Sequence, residues 1–180
     1  MYADLGLGVD YGTYFAADDK NVTMNILTLG QDGLTLGQKD YYVNNDPATV
    51  AIREAYKKYI VKMFQLYGFS AEQAQQNAQL IFQHETTLAL ISKSNTELRD
   101  PQANYNKMTL KQFKENYPNV QLEQLLNAEG VKSEYIQEMV VGQPAFFAGI
   151  DKINAAESAA TLKAVMEWGV IQSSAAYLTD

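Results

Sequence analysis

Cysteine is absent from the 180 residues, so no disulfide and no thiolate metal site can form within this chain. That absence leaves the cellular compartment open, because many secreted proteins also lack the residue. Histidine occurs once, at position 84, and a catalytic triad or a zinc set built on paired imidazoles is short of donors from the start. Positive charge is also scarce. Fourteen basic against 21 acidic side chains give a net charge of −7, so the average surface repels phosphate backbones and nucleic acid is not an expected partner. No apolar run approaches the ~20 residues a membrane helix needs. The opening Met1-Tyr2-Ala3-Asp4-Leu5 has neither the basic start nor the apolar stretch of a signal peptide, so a targeting segment is expected upstream or already removed. Repeats and low-complexity tracts are missing too. What remains is 47% hydrophobic and 19% charged, with twelve Tyr and seven Phe, the balance of a folded globular unit.

Proline is rare, and its four positions punctuate the chain. Asp46 followed by Pro47 is an N-cap with proline at the first helical position, where a missing N–H costs nothing. A long helix is expected from there, with Ile52, Tyr56, Tyr59, Met63 and Leu66 on its covered face and Gly68 as its stop. Ser70 with Gln73 forms a capping-box pattern, after which Ala74, Ala78, Ile81, Leu88 and Ile91 keep helical spacing to about Ser92. Residues 94–106, including Pro101, lack periodicity and read as a structured loop. Thr109 with Gln112 is a second capping box opening a short helix that Pro118 bounds, and another short helix fits Val120 to Ala128 with Gly130 as its stop. Val140-Val141 reads as a brief extended piece before Pro144, and Phe146, Phe147 and Ile150 suggest a helical turn or two. Ser158 to about Tyr177 is a last helix with Leu162, Val165, Met166 and Gly169 on one face.

The N-terminal part is less regular. Residues 1–17 are rich in Gly and Tyr and are expected to form an irregular start. Asn21 to Leu29 alternates, with Val22, Met24 and Ile26 on one side of a half-buried strand. Asp32-Gly33 offers a turn, and Leu34, Leu36 and Tyr41 to Val43 suggest a second extended segment, though Gly37 argues against regular pairing. The expectation is a single, mainly α partial domain over 1–180, a multi-helix unit with a short β-hairpin or extended segment near the N-terminus.

Chemistry-bearing motifs are few. His84-Glu85-Thr86-Thr87-Leu88 has the opening of a zincin helix, but Leu88 stands where the second metal-binding His would be. Glu85 is in phase with the covered face of its helix, where an unpaired charge would be costly. Arg99 in the following loop is the expected partner, an ion pair that would tie the loop to the helix. Gly6, Gly8 and Gly12 imitate a dinucleotide loop, but the third Gly is one position late and no strand precedes them. Asn21-Val22-Thr23 is a glycosylation tripeptide, a pattern that also arises by chance.

Taken together, the Gln31, Gly33, Leu34, Leu36 run, Asp40-Tyr41-Tyr42, Glu85 with Leu88, Arg99-Asp100, Tyr105-Asn106 with Met108-Thr109, and Trp168 resemble the neprilysin family of zinc metalloendopeptidases in order and spacing. The resemblance runs from about Asp18 to Leu178. Gly37 and Lys39 depart from it, because the family has Pro and then Arg before Asp-Tyr-Tyr; Lys keeps the charge but not the bidentate fork.

The resemblance implies a two-lobed peptidase with a zinc site on one lobe and a helical, non-catalytic lobe that closes a peptide-admitting cavity. This chain resembles part of the second lobe. The family's zinc-binding His-Glu-x-x-His helix, its further Glu ligand and its substrate-holding Asn-Ala have no counterpart here, so no catalytic or metal residue is assigned. Zn2+ in the parent enzyme would have its ligands outside this sequence. The residues that carry the likeness, Asp40, Tyr41, Tyr42, Glu85, Arg99, Asp100, Tyr105, Asn106 and Trp168, are assigned structural roles. The implied partners are the catalytic lobe of the same polypeptide and the parent's peptide substrates, with self-association of an isolated piece through uncovered apolar surface. A secreted or cell-envelope location is favoured for the parent. The competing reading is a stand-alone helical module that binds peptides or a partner protein without chemistry.

Overall fold

A computed structural model describes residues 10–175. The described residues are mainly helical, with seven α-helices and a small four-stranded sheet. They fall into two compact units, one comprising residues 10–33 and 91–156 and the other residues 34–90 and 157–175.

In the first unit, β1 (Tyr11–Asp18) and β2 (Asn21–Gln31) form an antiparallel hairpin. β3 (Asn106–Thr109) and β4 (Glu138–Val141) complete a sheet in the order β1-β2-β4-β3, with β4 parallel to β2 and antiparallel to β3. The start expected to be irregular is therefore a strand from Tyr11 onward, while residues 1–9 and the Gly6-Gly8 pair lie outside the described residues. Composition misled because β1 takes its hydrogen bonds from β2, whose facing pair Gly12–Gly30 tolerates the glycines.

β2 is the strand expected from alternation, but its covered residues differ. Leu27 and Leu29 are buried together with Ile26, whereas Val22 and Met24 are 77% and 61% exposed. The β2–β4 pairing begins only at Leu27, so the far part of the hairpin has no sheet neighbour on that side.

Helices α4 (Leu110–Asn116), α5 (Leu122–Ala128) and α6 (Pro144–Ala156) also belong to this unit. The Thr109–Gln112 capping box closes as the spacing predicts, and Gly130 ends the α5 region at φ +76°. α6 is longer than the one or two turns expected, and it buries Phe146, Phe147 and Ile150. The Phe147 ring meets Tyr11 and Phe113 edge-on at centroid distances of 5.4 and 5.5 Å.

The second unit holds α1 (Asp40–Val43), α2 (Pro47–Leu66), nearly all of α3 (Ala71–Ile91) and α7 (Ala159–Ser174). Asp46 caps α2 by accepting the Thr49 N–H, and Ser70 exchanges hydrogen bonds with Gln73 at the head of α3. Gly68 ends the α2 region at φ +93°, a left-handed conformation that suits a residue without Cβ.

One helical face agrees with its spacing and two are turned. α3 buries Ala74, Ala78, Ile81 and Leu88, as spacing predicts. α2 covers Thr49, Tyr56, Ile60, Met63 and Phe64, leaving Ile52, Tyr59 and Leu66 exposed. α7 buries Thr161, Ala164, Trp168 and Ile171 instead of the Leu162–Gly169 stripe, because its largest ring, Trp168, enters the core. Tyr41 to Val43 is not extended but part of the single helical turn α1. Gly37, at φ +83°, follows a turn closed by its N–H onto the Leu34 carbonyl, and Arg53 holds the carbonyls of Tyr42 and Asn44 at 2.8 and 2.7 Å. Those bonds satisfy α1's C-terminal end in place of a strand ladder.

Candidate functional site

Among the described residues of the second unit Glu85 is the most deeply buried acid, at 4% exposure, and α3 places it on the same covered stripe as Ile81 and Leu88. Three hydroxyls meet it. Thr35 Oγ1 and Tyr56 Oη donate to Oε1 at 2.7 and 2.8 Å, and Tyr42 Oη donates to Oε2 at 2.8 Å. Two of these donors are themselves supplied: Tyr42 accepts the Leu36 N–H at 3.0 Å and Thr35 accepts the Trp168 indole N–H at a long 3.5 Å. Burial lifts the Glu85 carboxyl above its ordinary range, against the pull of the three hydrogen bonds. The same burial, with the Glu85 charge beside them, pushes both tyrosine hydroxyls up.

The ion pair expected between Glu85 and Arg99 is thus replaced. Neutral hydroxyls from the loop before α1, from α1 and from α2 satisfy the carboxylate, while Arg99 is an exposed residue on a 3-10 turn (Glu97–Arg99) of the first unit. Sequence periodicity could locate the buried acid but not three donors 29, 43 and 50 positions away. The signal within reach was the pair of tyrosines at 42 and 56.

Trp168 stacks on Phe64 at a centroid distance of 6.2 Å and meets Tyr56 and Tyr59 edge-on at 6.3 and 5.7 Å. It joins the Glu85 cluster through Tyr56 and Thr35. Of the remaining residues of this unit that carry the likeness, Tyr42 is buried, Tyr41 is half-buried and Asp40 is exposed.

The first unit gathers a second group. Asp18, buried at the end of β1, receives Tyr105 Oη at 2.7 Å, Lys107 Nζ at 2.8 Å and the Lys20 N–H at 3.0 Å. The Lys107 bond first, then Tyr105 and the Lys20 amide, hold its carboxyl down to about 2. Its own hydrogen bond to Asp18 raises the Lys107 ammonium in turn. Asp100 caps the 100–104 turn by accepting the Gln102 and Ala103 N–H groups, and the Asn106 amide donates to the Ala103 and Val141 carbonyls. Beside this group lies a cleft of about 230 Å3 between one face of the hairpin and the 98–105 loop.

Neither group suits zinc. His84 Nδ1 lies 3.1 Å from the Glu157 carboxylate, Glu85 is committed to hydroxyls, and the residue one turn on, Leu88, offers no donor. A zinc site needs nitrogen or sulfur donors that one His and no Cys cannot supply.

The family model of Peptidase family M13, for its N-terminal part, matches residues 1–180. This chain belongs to peptidase family M13. Among M13 relatives it is 36% identical to endothelin-converting enzyme-like 1 of Rattus norvegicus over 112 residues, covering 61% of this chain and 14% of that protein. It is 28% identical to neprilysin-2 of Drosophila melanogaster over 180 residues, covering 97% of this chain and 23% of the relative. The zinc metalloprotease Zmp1 of Mycobacterium tuberculosis superposes with a TM-score of 0.92 at 27% identity, over 98% of this chain and 27% of that one. PepO of Lactobacillus rhamnosis, at 19% identity and a TM-score of 0.79, shares the fold. The M13 chain thus spans under a quarter of the length of these curated relatives.

Proposed function

We propose that this M13 chain is the helical, non-catalytic part of a neprilysin-like zinc metalloendopeptidase, forming wall and lid of the cavity in which peptides are cut. The observation that carries the reading is the end-to-end correspondence with a zinc metalloprotease of which it makes up little more than a quarter. The lone His supports it: metal-assisted attack on a peptide bond needs a metal held by several protein donors, and these residues do not provide them. Catalysis then belongs to polypeptide outside this sequence. The role left to this part is rigid enclosure, which suits a fold whose buried acids are satisfied by hydroxyls and lysine rather than turned toward a substrate.

The test is hydrolysis of a fluorogenic peptide by this chain with added zinc and by the longer polypeptide that contains it. The longer protein is expected to cut the peptide in a chelator-sensitive way and to leave folded proteins intact, while the chain alone cuts neither. Chelator-sensitive turnover by the chain alone overturns the non-catalytic assignment. Equal cleavage of peptides and folded proteins by the longer protein overturns the wall.

A further inference from the structure

We propose that the cleft of the first unit binds the two ends of a short apolar peptide such as a free dipeptide. Its floor is one face of the sheet. Tyr14 and Ala16 of β1, Ile26 and Thr28 of β2 and Val140 of β4 all line it, and the register sets Tyr14 opposite Thr28, Ala16 opposite Ile26, and Thr28 opposite Val140. The 98–105 loop is the wall, pinned by the Asn104 amide on the Leu98 and Asp100 carbonyls and by Tyr105 Oη on Asp18. About 230 Å3 holds some seven or eight waters' worth of space, too little for a long ligand and enough for one or two side chains.

The charges on the lining select among such ligands. Arg99 and Asp19 both line the cleft. The chain's other arginine, Arg53, binds three acceptors, and the neighbouring Asp18 is neutralised by Lys107, but among the described residues Arg99 and Asp19 have no ion pair or side-chain hydrogen bond, with each other or with anything else. One free guanidinium and one free carboxylate beside apolar walls match a ligand with a carboxylate at one end, an ammonium at the other and an apolar side chain. The carboxylate would sit on Arg99, the amino group on Asp19, and the side chain among Tyr14, Ile26 and Val140.

This deepens the reading of a peptide-handling lobe, and it fails separately from it because binding here is read without turnover. The experiment is a titration of the isotopically labelled 180-residue chain with Leu-Leu, followed by amide NMR, alongside Leu-Leu amide and N-acetyl-Leu-Leu. Saturable shifts are expected at Thr28, Leu98, Asn104 and Val140. Affinity should fall about tenfold with the amide, and by a similar factor in Arg99→Gln with the free acid. Acetylation should weaken binding to the native chain but not to Asp19→Asn. Shifts that do not saturate, that scatter beyond the cleft, or that are indifferent to the ligand's end groups overturn the proposal. Blocking the ligand's ends leaves the protein untouched, so this arm decides even if a variant misfolds.

Discussion

Tyr42 Oη stands 2.8 Å from Glu85 Oε2 and accepts the Leu36 N–H at 3.0 Å, so its one proton points at the carboxylate. Tyr42→Phe removes a donor and an acceptor together, leaving one carboxylate oxygen and one backbone N–H short of partners in the interior. Urea denaturation is expected to show a loss of about 1–3 kcal/mol, the cost of stranding buried polar groups. Tyr56→Phe leaves Oε1 with its Thr35 hydrogen bond and is expected to cost less. Equal losses would mean that the Leu36 contact adds nothing.

The same carboxyl sets a pH dependence. Burial raises Glu85 in the folded protein above its ordinary value, so the folded state holds this proton more tightly than the unfolded state does. Its contribution to stability is therefore full below the ordinary glutamate value and is lost as pH rises through the elevated one. Asp18 acts oppositely: held down to about 2, it contributes above the ordinary aspartate value of 3.8 and loses that contribution as pH falls toward 2. Denaturation midpoints measured across this range should lose their Glu85 limb in Glu85→Gln and their acid limb in Asp18→Asn. Unchanged profiles would remove both assignments.

Gly149 faces Ile91, where a Cβ would come within 2.7 Å of Cδ1 and 3.0 Å of both Cβ and Cγ2. A branched side chain meeting the intruder with its own Cβ cannot swing clear by turning its tip. Gly149→Ala, although helix propensity favours it, is expected to destabilise by about 1–3 kcal/mol in thermal or urea unfolding. Ile91→Val removes Cδ1 and should recover part of the loss in the double variant.

Local chemistry was legible in the sequence and long-range partnership was not. Asp46-Pro47, Ser70 with Gln73, and Thr109 with Gln112 all cap the helices they announce, because a cap is a contact over three residues. The faces of α2 and α7 were turned because most of their periodic residues are apolar, and which stripe is covered depends on neighbours far along the chain. Glu85 was recognisable as a covered acid, yet its partners come from three other segments and carry no charge to mark them. β1 stayed hidden because its regularity is borrowed from β2.

Trp168 gives the sharpest test of the α7 face, since it is the only tryptophan and thus a spectroscopic reporter of its own surroundings. It is 3% exposed, stacked on Phe64 and edge-on to Tyr56 and Tyr59, whereas Leu162 on the stripe favoured by spacing is only half-buried. Trp168→Ala is expected to cost about 3–5 kcal/mol through lost burial and the cavity left among those rings, and Leu162→Ala distinctly less. In the native chain the indole emission should be blue-shifted and poorly quenched by acrylamide, then move to longer wavelength on unfolding. Emission that is red-shifted and freely quenched under native conditions would turn α7 back to the face its periodicity suggests, and the packing of Phe64 and Tyr56 would need another partner.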